Sequence, residues 1–168
     1  MPYLTLSSPA FKDHGEVPVD YTGDGRNISP PLYWSNVPAG TREFVLVCED
    51  PDAPQPGAFV HWLAYGISPL LTAMPGGIPP QPSLDMPVRL DQGTNSDGQP
   101  GYTGPLPPVG HGVHRYVFRL YALDRKLNLP PGIGLTELQR AMQGHVLDAA
   151  QVTGHYKRNA VWDYSRAI

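Results

Sequence analysis

The stretch Gly101–Asp124, GYTGPLPPVGHGVHRYVFRLYALD, begins as a loop of prolines and glycines and runs without a break into a long apolar segment. Pro105, Pro107 and Pro108 each fix φ and remove a backbone donor, so neither helix nor ladder can form there. From His114 onward the pattern alternates as a strand does: His114, Tyr116, Phe118, Leu120 and Ala122 share one face, and Arg115, Val117, Arg119, Tyr121 and Leu123 the other. A rigid loop feeding a strand, with His114 and Arg115 at the join, is where binding groups tend to sit.

The same punctuation governs the rest of the chain. Glycine (18) and proline (21) make up 39 of 168 residues, yet 40% of the chain is hydrophobic and gathered into short runs. That combination implies a loop-rich, mostly β protein. Tyr3–Ser7 alternates, Val17–Tyr21 reads as a short extended piece, and Pro30-Pro31 leads into an aromatic strand at Leu32–Trp34. Glu43–Glu49, EFVLVCE, is a continuous apolar run of strand length, as expected of a strand covered on both faces. Ala58–Ile67 is the next strand, where alternation places His61, Leu63, Tyr65 and Ile67 on one face and Val60, Trp62 and Ala64 on the other. Residues 68–100 read as loop, with at most a short strand near Val88–Leu90. One helix is expected over Thr136–His145, with Thr136 as N-cap and Leu135, Leu138, Met142 and Val146 along one face. A strand over Leu147–Lys157 follows. The chain is read as a single domain over 1–158 with a tail over 159–168.

A net charge of -3 and a pI near 6.0 give no basic field for a polyanion, so no nucleic acid is expected. Cys48 is the single cysteine, which suits a reducing compartment. No run approaches a membrane span and the N-terminus lacks a signal pattern, so a cytoplasmic protein is expected.

Candidate chemistry gathers around two histidines. His61 and His114 lie on strands that should be neighbours in one sheet, and Asp50 and Asp52 are set close together at the C-terminal end of the Glu43–Glu49 strand. A His beside a carboxylate is an acid-base pair, an anion site when protonated, or a metal ligand. Each His alone reads equally as a buried residue satisfied by a backbone carbonyl. Asp52, before a proline-rich turn, is expected to organise that turn, whereas Asp50 is assigned to the site. His111-x-x-His114 has ligand-like spacing, but it lies off any helix and no Cys or His-Glu motif completes it, so no metal is expected. No Gly-x-Ser-x-Gly turn exists and Cys48 lies in an apolar run, so no nucleophile and no catalytic residue is nominated. No cofactor is expected either.

These motifs resemble those of the phosphatidylethanolamine-binding protein family, in particular its bacterial and archaeal Raf-kinase-inhibitor-like branch. The matching segments are Asp50-Pro51-Asp52-Ala53-Pro54 with Val60-His61-Trp62-Leu63, and Gly101-Tyr102-Thr103-Gly104-Pro105-Leu106-Pro107-Pro108 with His114-Arg115-Tyr116. Asp24-Gly25-x-Asn27-Ile28-Ser29-Pro30-Pro31, Gly144-His145-Val146-Leu147 and Gly154-x-Tyr156 fit as well. The resemblance implies an antiparallel β-sandwich with a large central sheet and one small pocket for phosphate, a carboxylate or a phospholipid head group. By position, it implies ligand-binding roles for Asp50, His61, Tyr102, Pro107, Pro108, His114 and Tyr116, with the Gly104 and Leu106 backbone at the rim. It also offers Ala53-Pro54 as a cis peptide, and a homodimer. The function expected is anion binding without catalysis; the alternative is an acid-base enzyme, such as a hydrolase, using Asp50, His61 and His114 on a phosphorylated or acylated small molecule. A protein partner is a further possibility. Two departures stand out: Gly23 occupies a position that is commonly cysteine in that branch, and the chain continues past Lys157-Arg158.

Overall fold

The computed structural model describes residues 2–159; the predicted tail, apart from Asn159, lies outside them. The element that sets the architecture is β4 (Glu43–Asp50), which is buried at every position except the half-buried Glu49. A strand apolar on both sides must be covered on both sides. It sits near the middle of a seven-stranded sheet of order β2-β10-β9-β4-β5-β8-β7, built with β2 (Gly15–Glu16), β5 (Phe59–Ile67), β7 (Ser83–Leu84), β8 (Leu90–Gln92), β9 (His114–Leu123) and β10 (Val146–Tyr156). All pairings in it are antiparallel except β2 with β10, and β5 and β9, expected to be neighbours, are separated by β4. A three-stranded sheet of β1 (Thr5–Ser7), β3 (Leu32–Ser35) and β6 (Ala73–Met74) covers one face.

Two cores result. Between the sheets Leu6 and Trp34 meet Phe44, Leu46, Cys48, Trp62, Phe118 and Leu120. On the opposite face Val45, Val47, Leu63 and Tyr65 are covered by Ile133 and by Leu138 and Met142 of α1 (Leu135–Met142). Full burial of such side chains stabilises the fold by about 2 kcal/mol each. At the far end of β4, Glu43 is also buried; Leu127 N–H donates to its Oε1, while Oε2 has no partner among the described residues. Burial pushes its carboxyl upward from the usual range.

Several local expectations are corrected. Val19–Tyr21 is a 3-10 turn, not an extended piece: Pro18 sets φ at -59° before it, and Pro18 O and Val19 O accept from Tyr21 N–H and Thr22 N–H. The helix is capped by Gly134, not Thr136, which lies inside it. It ends at Met142 because Gly144 adopts φ +80°, so Val146 begins β10 and is 45% exposed rather than on the apolar face. The cis peptide is at Met86-Pro87, and Ala53-Pro54 is trans.

The alternation read for β5 also fails at both ends. Cys48 pairs with Trp62 and Glu49 with Val60, which leaves His61 as an extra residue in a β-bulge. A second irregularity falls where Phe44 pairs with Ile67 but Leu46 with Ala64, around Gly66 at φ +67°. His61 and Ile67 therefore join Trp62 and Ala64 on the inter-sheet side, away from Leu63 and Tyr65.

Residues 68–100 are not structureless. They contribute three short strands and are tied by Gln92, which is fully buried. Its Oε1 accepts from Trp62 Nε1 at 2.7 Å, and its Nε2 donates to Pro79 O and Gln81 O, each at 2.8 Å. Gln92→Ala strands three partners, so urea unfolding of this variant should show a loss of about 3 kcal/mol.

Candidate functional site

At the C-terminal end of β4 a cavity of about 470 Å³ opens between β5, β9 and the proline-rich loop. Asp50 reaches it because the Phe44, Leu46, Cys48 series places position 50 on the inter-sheet side. Its Oδ2 accepts from His114 Nδ1 at 2.6 Å, with side-chain exposures of only 5% and 2%. Its Oδ1 accepts from Asp52 N–H at 2.7 Å, so Asp50 also organises the turn that sequence reasoning gave to Asp52. Asp52 instead pins the start of β9: it accepts from Arg115 N–H, Nε and Nη2 at 2.9, 3.0 and 2.9 Å. That guanidinium pulls the Asp52 carboxyl down to about 2.

His61 enters the cavity only because of the bulge. Its Nδ1 lies 2.6 Å from Thr103 O, and since a carbonyl can only accept, Nδ1 carries the proton. The Thr103 N–H returns a bond to His61 O at 2.9 Å, so backbone and ring are clamped to one residue. Phe59 and Tyr116 flank the ring at 4.6 and 5.1 Å between centroids. Burial lowers the His61 pKa, which keeps the ring neutral and leaves Nε2 as a lone pair. Nε2 makes no hydrogen bond among the described residues and is not sealed off, so it is open to the cavity.

Pro107, Pro108, Ala53 and Pro54 form the walls, with Gly104 and Leu106 at the rim. The loop is held by Asn27, whose Oδ1 accepts from Gly104 N–H at 2.6 Å, and by Gly23 N–H donating to Pro105 O at 2.8 Å. A Cβ on Gly104 would collide with Tyr21 O, so only glycine allows this approach.

Of the seven residues expected to bind ligand, Asp50, His61, Pro107, Pro108, His114 and Tyr116 line the cavity. Tyr102 does not. Its ring packs against Trp62 and Phe118 and its hydroxyl donates to Tyr21 O at 2.6 Å, which makes it part of the core behind the loop. Asn27, Phe59, Asp97 and Thr103 line the cavity without having been singled out. Asn27 carried a signal, since it falls in the Asp24-Gly25-x-Asn27 segment and adopts φ +57°, which Asn tolerates better than most residues. His111, weighed only as a metal partner, places Nδ1 2.6 Å from His114 Nε2. Among the described residues no group of three or more His, Cys, Asp or Glu side chains is arranged to hold a metal ion. Cys48 is buried, and desolvation raises its thiol pKa well above the usual range.

Fold and site together define a class. A family model for phosphatidylethanolamine-binding proteins matches residues 7–157, and the chain belongs to that family. It is 45% identical over 155 residues to a UPF0098 protein of Methanothermobacter thermautotrophicus, covering 92% of this chain and 99% of that one. A phosphatidylethanolamine-binding protein homologue from Chlamydia trachomatis, CT736, has a similar structure with TM-score 0.84 and 34% identity, covering 94% and 99% of the two chains. LppC of Mycobacterium tuberculosis, which bears a lipoprotein name, is 39% identical over 154 residues, 92% of this chain and 72% of its own. No helix among the described residues is long and apolar enough to cross a membrane.

His114→Ala leaves a buried Asp50 without its partner, so equilibrium unfolding should show a loss of about 3 kcal/mol. In a double-mutant cycle, Asp50→Ala with His114→Ala should cost clearly less than the sum of the two. His61 makes a separate prediction. Because its folded pKa is depressed, its contribution is present above the unfolded value of about 6.5 and lost as pH falls through the folded one. Gln at position 61 can keep a donor to Thr103 O but does not titrate, so the stability of wild type relative to His61→Gln should fall as pH is lowered through and below about 6.5, read by urea denaturation.

Proposed function

We propose that this cavity holds a small anion, such as phosphate, a carboxylate or a phospholipid head group of the phosphoethanolamine type, and that the protein is a binding module without catalysis. The observation that carries the reading is the pairing of a buried Asp50–His114 couple with an open His61 Nε2 inside proline walls. Rigid walls lower the ordering cost of binding. A cavity with Asp50 and Asp97 on its lining and a neutral His61 does not attract an anion by charge alone. The anion is therefore taken up with a proton, either brought as a monoprotonated acid or acquired by His61 Nε2. Cys48 is not an available nucleophile, which favours binding over covalent chemistry. The solitary buried thiol also supports a reducing, cytoplasmic setting. A homodimer is part of the same reading, by family resemblance.

Sulfate and phosphate, titrated by calorimetry, test this. Sulfate keeps a fixed charge across the neutral range, so its affinity should rise by up to about tenfold per unit as pH falls toward and below about 6.5. His61→Gln should flatten that dependence and weaken binding about tenfold, roughly the loss of one charge-assisted hydrogen bond. Equal affinity in the variant would remove His61 from the site. Turnover of a phosphate monoester that disappears in His61→Gln would favour the enzyme reading instead.

A further inference from the structure

His114 has two ring nitrogens, and both are occupied from within the chain. Nδ1 is held by Asp50 and Nε2 meets His111 Nδ1 at 2.6 Å, with ring centroids 4.8 Å apart and the planes at 61°. A contact of that length holds a single proton between two nitrogens. While it stands, the Nε2 of His114 faces His111 and is closed to a ligand.

The segment that carries His111 is lightly held. Gly110 and Gly112 bracket it at φ +76° and +93°, and nothing lies within 4 Å of where either Cβ would sit. Their glycine character answers to backbone conformation and not to lack of space. Val109 and Val113 are 51% and 52% exposed, so the arch buries little. Two backbone bonds seat it, Gly110 N–H to Arg158 O at 2.8 Å and His111 N–H to Pro108 O at 3.1 Å. By contrast Thr103 and Gly104 across the cavity are fixed by side chains and strands, which leaves the arch between the lining residues Pro108 and His114 as the lightly held segment.

We propose that His111 is a displaceable strap, occupying the Nε2 of His114 and exchanged for a hydroxyl oxygen of a bound, monoprotonated oxyanion, whose O–H replaces the His111 Nδ1–H as donor. Its ring stands where the anion's oxygen would be received, and lifting the arch extends the cavity to Nε2. This rests on the anion-binding reading above and adds to it an internal competitor whose removal strengthens binding. The strap also sets a threshold: only an anion that bonds His114 better than an imidazole nitrogen does can open it.

Calorimetry with inorganic phosphate on wild type, His111→Ala and Gly112→Ala tests the proposal. Removing the competing ring, or straining the seated arch with a Cβ at positive φ, should each tighten phosphate binding by about fivefold to twentyfold, a population shift of the kind a pre-opened site produces. Hydrogen exchange on wild type supplies a second readout: saturating phosphate should speed exchange of the Gly110 and His111 amides, whose two bonds break. Equal or weaker affinity in both variants, or slower exchange of those amides, overturns the strap while leaving the anion site intact. Absence of binding in wild type and both variants overturns the anion reading and the strap with it. Binding detectable only in the variants supports both.

Discussion

The structure depends on the double burial of β4. Phe44, Leu46 and Cys48 face one core, Val45 and Val47 the other, and β5 and β9 saturate its backbone on both sides. Nothing in such a strand can shift without disturbing two layers of packing. Asp50 inherits that rigidity as its final residue, which is how a charged group can be held in one place at 3% exposure. The cost of burying the carboxylate is offset by His114 and by the Asp52 N–H, not by solvent. The cavity is thus an extension of the core's order and not a loop feature attached to it.

The parts of the fold that depend on composition and local pattern were legible. Proline and glycine density pointed to loops and strands with a single helix, and the apolar runs gave the long strands at Glu43, Phe59, His114 and Val146 within a few residues. The grouping of Asp50, His61 and His114 was legible as well, but for β5 the stated alternation contradicted it. Strict alternation sends His61 to the side of Leu63 and Tyr65, and only the extra residue opposite the Cys48–Glu49 step turns it toward His114. A bulge is a property of two paired strands, so no single segment announces it. Tyr102 was assigned to the cavity for a similar reason: a tyrosine in the loop and a tyrosine plugging the core behind it look alike until the partners Trp62, Phe118 and Tyr21 O are known. Gln92 is the converse case, a polar residue in apparent loop that proves fully buried because Trp62, Pro79 and Gln81 converge on it.

The chemistry of the site follows from where protons can be. Thr103 O fixes the tautomer of His61, Asp50 fixes that of His114, and His111 takes up the nitrogen that remains on the latter. Recognition by such a set is sensitive to the protonation of the ligand as much as to its charge. Members of one family that share the Asp and two His groups but differ in the arch between Pro108 and His114 would keep the same cavity and differ in how readily it opens.

Glu43 and Asp50 close the two ends of the same strand with buried carboxyl groups, and the side chains between them are apolar except for the half-buried Glu49. Sliding β4 by two residues preserves which face each side chain takes, the slip that hydrophobic patterning alone does not forbid. Here such a slip would carry Asp50 into the place of Cys48, between Trp62 and Phe118, or draw Glu43 into that of Val45. Either leaves a charge in an apolar core with no partner, at a cost of several kcal/mol. The two carboxyls act as end stops that fix the register of the central strand, and the buried pair that lines the cavity thereby also guards the alignment of the sheet.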